Sequence, residues 1–327
     1  MASSATTAGR IEGASRARGF LHRLKAGDAV VHGITFVFAA TVIAIAVLLV
    51  TQLWGQSALS RSKFGWSFFF GRTWDPVAGE FGALPFIYGT VMTSALALLI
   101  AVPLGLGSAI FLAEMAPPRI SDALIFVIEL LAAVPSVIYG LLGAFILVPF
   151  MRTVAQPALI ATLGYLPLFK GPNYGVGVLT ASVVLAIMIL PFVVSISREA
   201  LMSVPREQRE GALAVGATRW ESTWQVVVPF ARLGIAGSVF LALARALGET
   251  MAVTMVIGND PKISSSLLAP GYSIAAVIAN EFTEATSDLH LSALVELALV
   301  LCLLTIIING LARLLILATT RKGTAHS

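Results

Sequence analysis

Six long apolar segments constrain the fold of this chain more than any other feature of its sequence. The hydrocarbon core of a bilayer is about 30 Å thick, so a helix needs roughly 20 predominantly apolar residues to cross it. Hydrophobic residues make up 57% of the 327 residues and charged residues only 12%, which excludes a soluble globular domain. We therefore predict an all-α, polytopic membrane protein with six transmembrane helices, at about residues 30–54, 84–112, 122–150, 175–196, 230–257 and 291–317.

The two termini are polar, and the interior between them reads as one transmembrane domain. Residues 1–28 are small, polar and basic, and we expect them to form a disordered cytoplasmic tail. A cleaved signal peptide is the competing interpretation, but the apolar run that follows is longer than a typical signal core and lacks a convincing cleavage site. We assign 1–28 to the basic tail, 29–320 to the transmembrane domain with short helices at 199–229, and 321–327 to a C-terminal tail.

The distribution of basic residues predicts the orientation in the membrane. With the N-terminus inside, the inner side carries fourteen Lys and Arg residues and the outer loops carry six. We therefore expect both termini and the charged stretch at 198–229 to face the cytoplasm. This distribution accounts for the net charge of +4, which then indicates no nucleic-acid partner.

Residues 198–229 are the most densely charged interior part of the chain, although long apolar segments flank them. Pro205 suits a first helical turn, and Gly216 suits a left-handed helix stop. Thr218 and Glu221 have the spacing of a capping box, which begins a second helix. The pattern predicts two short helices in an ordered turn, and such a turn between spans indicates that something outside the membrane holds it.

Arg245 stands inside the fifth predicted span, about fourteen residues from its start and so near the bilayer midplane at roughly 1.5 Å per residue. Arginine stays charged, and placing it there costs about 2.5–3.5 kcal/mol on a lenient scale. Glu249 follows at i+4, on the same helical face, and can pair with it. Such a pair could simply lock the span, but an apolar pair would pack that position at lower cost. We therefore expect an anion site, because a planar guanidinium binds phosphate-like oxyanions through two parallel hydrogen bonds.

Other polar residues within or beside the spans give weaker signals. Glu129 lies about two turns into the third predicted span and is a candidate for the transport path or its gate. Ser136 and Thr250 could donate hydrogen bonds to a passing anion, or could equally satisfy local carbonyl groups. Glu296 lies near the outer end of the sixth predicted span, where interfacial solvation accounts for it.

Two of the predicted outer loops carry apolar patterns. The loop at 55–83 is rich in aromatic residues, which favours an interfacial aromatic belt. Residues 272–282 have the apolar spacing of an amphipathic helix that lies on the membrane surface or re-enters it, and that is too short to cross. This helix could also dock an external partner.

The sequence contains no pattern of residues that is typical of an enzyme active site. The four histidines are far apart, Cys302 is the single cysteine, and the clustered His and Cys ligands of a structural metal are missing. No glycine-rich phosphate loop is present either. If the protein depends on ATP, another chain binds and hydrolyses it, so we expect no cofactor on this chain.

The spacing of several residues in and after the charged stretch is distinctive: Glu210, Gly211, Ala212, Gly216, Val226, Val228 and Pro229. These residues resemble the EAA loop of ABC-importer permeases, whose pattern is Glu-Ala-Ala-x3-Gly-x9-Ile-x-Leu-Pro. Glycine replaces the middle alanine and valine replaces the Ile and the Leu, which are mild departures. The resemblance implies that this loop contacts the ATPase of the importer.

Three further stretches, at 81–90, 129–140 and 245–252, resemble the C-type permease subunits of phosphate-specific ABC importers, and the resemblance covers about residues 60–317. It implies a type I ABC-importer permease architecture, a second homologous permease subunit, two copies of a cytoplasmic ATPase and an extracytoplasmic phosphate-binding protein. In that family an Arg and a Glu of the fifth span are associated with phosphate passage, which maps onto Arg245 and Glu249.

The sequence therefore predicts a permease subunit that moves phosphate into the cytoplasm by alternating access, in the bacterial cytoplasmic (inner) membrane. A close alternative keeps the architecture and changes the cargo to another tetrahedral oxyanion, such as molybdate or sulfate. From a different class, the chain could be a membrane signalling or scaffold subunit that senses phosphate through its partners. A passive channel is disfavoured, because a channel would not need helices that dock an ATPase.

Overall fold

The computed structural model describes the backbone of residues 5–323 and the side chains of residues 31–314. Within that part of the chain, fifteen α-helices and two short strands follow one another in this order: α1 (Ala5–Gln56), α2 (Ala58–Phe64), α3 (Ser67–Phe70), β1 (Trp74–Asp75), β2 (Glu80–Phe81), α4 (Leu84–Ile110), α5 (Pro118–Ala132), α6 (Ser136–Leu142), α7 (Val148–Phe150), α8 (Gln156–Leu163), α9 (Val178–Met202), α10 (Arg206–Ala214), α11 (Arg219–Ser222), α12 (Val228–Gly248), α13 (Met251–Thr254), α14 (Ile274–Glu281) and α15 (Asp288–Gly323). Segments of π-helix join several of them, at Phe111–Met115, Gly143–Leu147, Met151–Ala155 and Thr223–Val227, and Pro167–Phe169 forms a 3₁₀ turn. The two strands pair antiparallel, with Trp74 opposite Phe81.

Six helical stretches in the described residues are long and apolar enough to cross a membrane, which confirms the predicted number. They are Val31–Gln56, Leu84–Met115, Ser136–Leu163, Val178–Met202, Arg219–Gly248 and Asp288–Leu314. The first, second, fourth and sixth lie close to the predicted spans. The third and the fifth do not, and each difference has a local cause.

The chain divides into two units, residues 1–55 and residues 56–327. In the first unit, α1 begins at Ala5, so the structure has residues 5–28 as helix where we expected a disordered tail. Alanine, arginine and leucine are good helix formers, and a helix already nucleated by a long apolar span extends at low cost. The other parts of the predicted tails, residues 1–4 and 324–327, lie outside the described residues.

Pro135 divides the third predicted span. The preceding helix ends at Ala132, and the next helix begins at Ser136. Proline lacks an amide hydrogen and disfavours helical geometry in the residue before it, so a regular helix does not continue through this point. The predicted span at 122–150 is therefore wrong, and the stretch of spanning length is Ser136–Leu163.

The fifth span begins and ends earlier than predicted. A capping box at Thr218 begins a helical stretch that continues through a π-helical segment into α12, and α12 ends at Gly248. The stretch of spanning length is Arg219–Gly248, so the predicted bounds of 230–257 are wrong. The second helix of the charged stretch and the fifth span therefore form one continuous helical segment.

Close packing at small residues holds α4, α9 and α12 together. A Cβ atom added to Gly105 on α4 would lie 2.7 Å from a methyl carbon of Val193 on α9, so the two helices touch at this glycine. Between α9 and α12, the buried hydroxyls of Ser197 and Ser238 share a hydrogen bond of 2.8 Å. Such contacts hold membrane helices together, because apolar side chains gain little by leaving lipid for another helix.

A second core forms where α2, α3, the strand pair and α14 pack with α4 and α15. Phe68 and Trp74 are buried in this core, so they do not belong to the interfacial belt that the sequence favoured, whereas Trp66 and Phe70 are exposed. The predicted short helix at 272–282 is present as α14. It buries one end, Ile274–Val277, against its neighbours instead of lying free on a surface.

Candidate functional sites

Arg245 lies in the last turn of α12, and its surroundings are unusual for a charged side chain. Its guanidinium carbon stands 4.3 Å from the ring centroid of Phe192 on α9, within the range of a cation–π contact. Its Nε is buried and has no hydrogen-bond partner among the described residues. A buried donor without a partner costs about 1–3 kcal/mol, and more when it is charged, so an anion that fills this position would be stabilised.

Glu249 does not pair with Arg245, so the predicted i,i+4 ion pair is wrong. The helix ends at Gly248, and Glu249 has an extended backbone with ψ of 127°, which turns the following residues out of the helix. Its Oε1 instead accepts a hydrogen bond of 3.2 Å from the amide of Ala252, in the first turn of α13. The positive charge of Arg245 is therefore not matched by a carboxylate among the described residues.

The end of α12 faces the start of α6. Tyr139 on α6 lies near enough to Arg245 for the guanidinium charge to act on its hydroxyl. That hydroxyl donates a 2.8 Å hydrogen bond to the carbonyl of Leu131 across the break at Pro135. Gly140 packs directly on α13, because an added Cβ would lie 3.1 Å from the Cα of Ala252. Two interrupted helices thus meet beside Arg245, as in transporters whose helix breaks line a binding site.

The remaining predicted path residues divide into those near this meeting point and those away from it. Ser136 is the first residue of α6, one turn before Tyr139, and Thr250 lies in the break between α12 and α13. Glu129 is exposed on α5, a separate helix before the break, so it does not lie within a span. Glu296 is only 3% exposed, so the expected interfacial solvation is wrong.

The charged stretch folds as a helical hairpin formed by α10 and α11, residues 206–222, which we call the 206–222 hairpin. Gly216 has φ of 95°, in the left-handed region that the predicted helix stop requires. The amide of Gly216 donates to the carbonyl of Leu213 at 3.0 Å and the amide of Ala217 to that of Ala212 at 3.2 Å, which is the complete Schellman arrangement. These bonds satisfy the last carbonyls of α10 and set the turn.

The second helix of the hairpin begins as predicted. Thr218 and Glu221 form a capping box, in which the hydroxyl of Thr218 accepts from the amide of Glu221 and the carboxylate of Glu221 accepts from the amide of Thr218 at 2.8 Å. Pro205 differs slightly from the prediction, since it precedes the first helical residue rather than standing within the first turn.

The residues of the EAA-like pattern are accessible on this hairpin. Glu210, Gly211 and Gly216 are exposed, Ala212 is half-buried, and Pro229 is exposed in the first turn of α12. Two apolar side chains beside them are also exposed, Val215 by 89% and Trp220 by 55%. Exposed apolar groups on an ordered polar hairpin are typical of a surface that a partner covers.

Arg209 is a functional candidate that sequence reasoning missed. Its guanidinium forms a salt bridge of 2.9 Å with Glu114, in the π-helical segment that follows α4. It also donates to the carbonyl oxygen of Leu201 in the last turn of α9, at 2.7 Å, and to that of Val204, which follows α9. The partners lie 95 residues apart in the chain, so no local spacing could have paired them.

A family model described as "Binding-protein-dependent transport system inner membrane component" matches residues 101–320. A protein of Mesorhizobium japonicum named "Phosphate transport system permease protein PstC" is 48% identical over 91% of this chain and 92% of its own length. A relative from Methanocaldococcus jannaschii, "Probable phosphate transport system permease protein PstC", is 37% identical over 83% of this chain and 88% of its own length.

Solved structures of importers share the fold. The MetNI methionine ABC transporter in an inward-facing conformation matches with a TM-score of 0.50 and 17% identity, over 70% of this chain and 93% of that one. A bacterial ABC transporter involved in alginate import matches with a TM-score of 0.50 and 19% identity, over 83% of this chain and 95% of that one. Six apolar spans and these matches make the chain a multi-pass inner-membrane protein with the architecture of a type I ABC-importer permease. The chain belongs to the family of binding-protein-dependent transport system inner membrane components, and within it to the group that contains the phosphate transport system permease proteins.

Proposed function

We propose that the chain is a permease subunit of an ATP-driven importer and that it translocates inorganic phosphate. The observation that carries the proposal is the guanidinium of Arg245, whose buried Nε has no partner among the described residues and which lies beside two interrupted helices. The names of the relatives, at 37–48% identity, support phosphate as the cargo. Guanidinium chemistry alone suits any tetrahedral oxyanion, so sulfate and molybdate are the competing cargoes.

The proposed mechanism depends on where the carboxylate of Glu249 lies. Because it caps α13 instead of neutralising Arg245, the guanidinium keeps its charge available for a passing phosphate. Ser136 and Thr250 stand at the two helix breaks, where the hydroxyl of each can donate a hydrogen bond to a phosphate oxygen. Alternating access would open this region first to one side and then to the other, with the non-helical residues between α12 and α13 as the hinge.

The 206–222 hairpin is the proposed contact with an ATPase. Its exposed Val215, Trp220 and EAA-like residues would enter a groove of the ATPase, and the helix that continues from α11 into α12 would carry the movement towards Arg245. This arrangement has both termini in the cytoplasm, as the bias of basic residues predicts. The complete importer would contain a second homologous permease subunit, two ATPase subunits that bind the ATP, and an extracytoplasmic phosphate-binding protein.

Replacing Arg245 with glutamine tests the function. We expect phosphate uptake by the reconstituted complex to be lost while the complex remains assembled and hydrolyses ATP, because glutamine keeps hydrogen bonding but removes the charge. Arg232→Gln is the matched control, since Arg232 lies on the same helix and is exposed. Normal uptake by Arg245→Gln, or an equal loss in the control, would contradict the proposal.

A further inference from the structure

The guanidinium of Arg209 joins three structural elements at one point. Arg209 belongs to α10 of the 206–222 hairpin, and its Nη2 lies 2.9 Å from Oε1 of Glu114 and 2.7 Å from the carbonyl oxygen of Leu201. Its Nε lies 3.2 Å from Oε1 and 3.3 Å from Oε2 of the same carboxylate, and its Nη1 donates to the carbonyl of Val204. One side chain therefore connects the hairpin to the end of the second span and to the end of the fourth.

These contacts are sheltered, which makes them stronger than those of an ordinary surface ion pair. The side chains of Arg209 and Glu114 are 22% and 13% exposed. The carbonyl of Leu201 lies in the last turn of α9, where it also accepts a hydrogen bond of 3.3 Å from the amide of Val204. Charge-assisted hydrogen bonds are roughly twice as strong as neutral ones, and a forked guanidinium fixes direction as well as distance. An apolar cluster that includes Leu112, Leu201 and Val227 packs the same region.

The fourth span leads from this point to the proposed phosphate site. Leu201 and Phe192 lie on the same helix, nine residues apart, which is about 14 Å at 1.5 Å per residue. Phe192 stacks on the guanidinium of Arg245. A displacement of α9 along its axis would therefore move the ring that covers Arg245.

We propose that Arg209 is a positioning residue that transmits movement of the hairpin to the second and fourth spans, so that ATP hydrolysis is coupled to opening of the transport path. This inference rests on the proposed function. It assigns the transmission to one guanidinium with partners on two spans, distinct from the exposed residues that would touch the ATPase.

The test uses the complete importer reconstituted in vesicles, with the variants Arg209→Gln, Glu114→Ala and the double variant. We expect the ATPase subunits to stay bound, and the phosphate taken up per ATP hydrolysed to fall about tenfold in Arg209→Gln, within the usual range of coupling effects. Glu114→Ala should have a smaller effect, because the carbonyl contacts remain. The double variant should be no worse than Arg209→Gln, because residues in one network are not additive. Arg119→Gln, an exposed arginine on α5, is the control.

A second readout does not depend on the cargo. Spin labels at the exposed Ile187 on α9 and Phe145 in the third span, in a Cys302→Ser background, report the distance between these spans with and without ATP. An ATP-dependent change that Arg209→Gln abolishes supports the transmission even if phosphate proves to be the wrong cargo. The inference would be overturned if Arg209→Gln kept the ATP-dependent distance change or the phosphate uptake per ATP of the wild type. It would also be overturned if the double variant showed the sum of the two single effects, or if Arg209→Gln lost the ATPase subunits.

Discussion

Alanine substitutions at two glycines of the 206–222 hairpin should shift its stability in opposite directions. Gly216 and Gly211 are both exposed, and an added Cβ atom would have no heavy atom within 4 Å at either position. The two differ in backbone conformation, since Gly216 has φ of 95° in the turn, whereas Gly211 lies inside α10. The pair of substitutions therefore isolates the effect of backbone conformation from that of packing.

The magnitudes follow from these conformations. A non-glycine residue in the left-handed region costs about 1–2 kcal/mol, so Gly216→Ala should destabilise the turn by that amount. Alanine in a helix interior is more favourable than glycine by about 1 kcal/mol, so Gly211→Ala should stabilise α10. Valine at 216 should be worse than alanine, because a β-branched side chain tolerates this region least.

The assay is hydrogen exchange of the intact protein, followed by mass spectrometry of the proteolytic peptides that cover the 206–222 hairpin. The amides of Gly216 and Ala217 close the turn, and a loss of 1–2 kcal/mol should speed their exchange roughly 5- to 30-fold in Gly216→Ala. Gly211→Ala should slow exchange across α10. If the two variants shift in the same direction, the Schellman turn does not hold the hairpin as described.

Three further outcomes concern the core around α14. Gly89→Ala should destabilise the protein by about 1–3 kcal/mol or more, because the added Cβ would lie 2.1 Å from the backbone oxygen of Tyr272. Thermal unfolding measures this loss, with Gly107→Ala as the control, because an added Cβ at Gly107 has no heavy atom within 4 Å. Glu281→Ala should cost about 1–3 kcal/mol in the same assay, because it removes the acceptor of the 2.8 Å hydrogen bond from Trp74 Nε1 and the partner of His290. Burial raises the pKa of Tyr272 from 10.0 to about 12, because the buried site favours the neutral hydroxyl over the phenolate. The resulting contribution to the free energy of unfolding, of order 2 kcal/mol, is complete below pH 10 and is lost as the pH rises to 12. Denaturant unfolding between pH 10 and pH 12 should show this loss of unfolding free energy in the wild type and a smaller loss in Tyr272→Phe. An equal dependence on pH in the two proteins would contradict the assignment.

Local signals in the sequence were sufficient for the hairpin. The stop at Gly216 and the capping box at Thr218 depend on residues within a few positions of each other, and both are confirmed. The number of spans was predictable for a similar reason, because the length of an apolar run is a local property.

The bounds of two spans were not predictable from hydropathy alone. Hydropathy is continuous across Pro135 and from Phe230 to Ile257, whereas the helices break at Pro135 and after Gly248. In the first case, Pro135 ends the helix even though the apolar run continues past it. In the second, the helix ends at Gly248 and the carboxylate of Glu249 accepts a hydrogen bond from the amide of Ala252 instead of pairing with Arg245, which the apolar pattern does not indicate.

Contacts between distant parts of the chain were beyond the reach of spacing arguments. The salt bridge of Arg209 with Glu114 and the stacking of Arg245 on Phe192 each join residues of different helices. Burial of Glu296 depends likewise on how α15 packs in the structure and not on its distance from the end of a predicted span.

Uptake of radiolabelled phosphate by the reconstituted complete importer tests the central claim most directly. The account predicts uptake that requires ATP, that excess unlabelled phosphate abolishes and excess sulfate or molybdate leaves nearly intact, and that disappears in Arg245→Gln while ATP hydrolysis continues. Uptake that proceeds without ATP, that sulfate or molybdate competes away, or that Arg245→Gln leaves at the level of the wild type would contradict it.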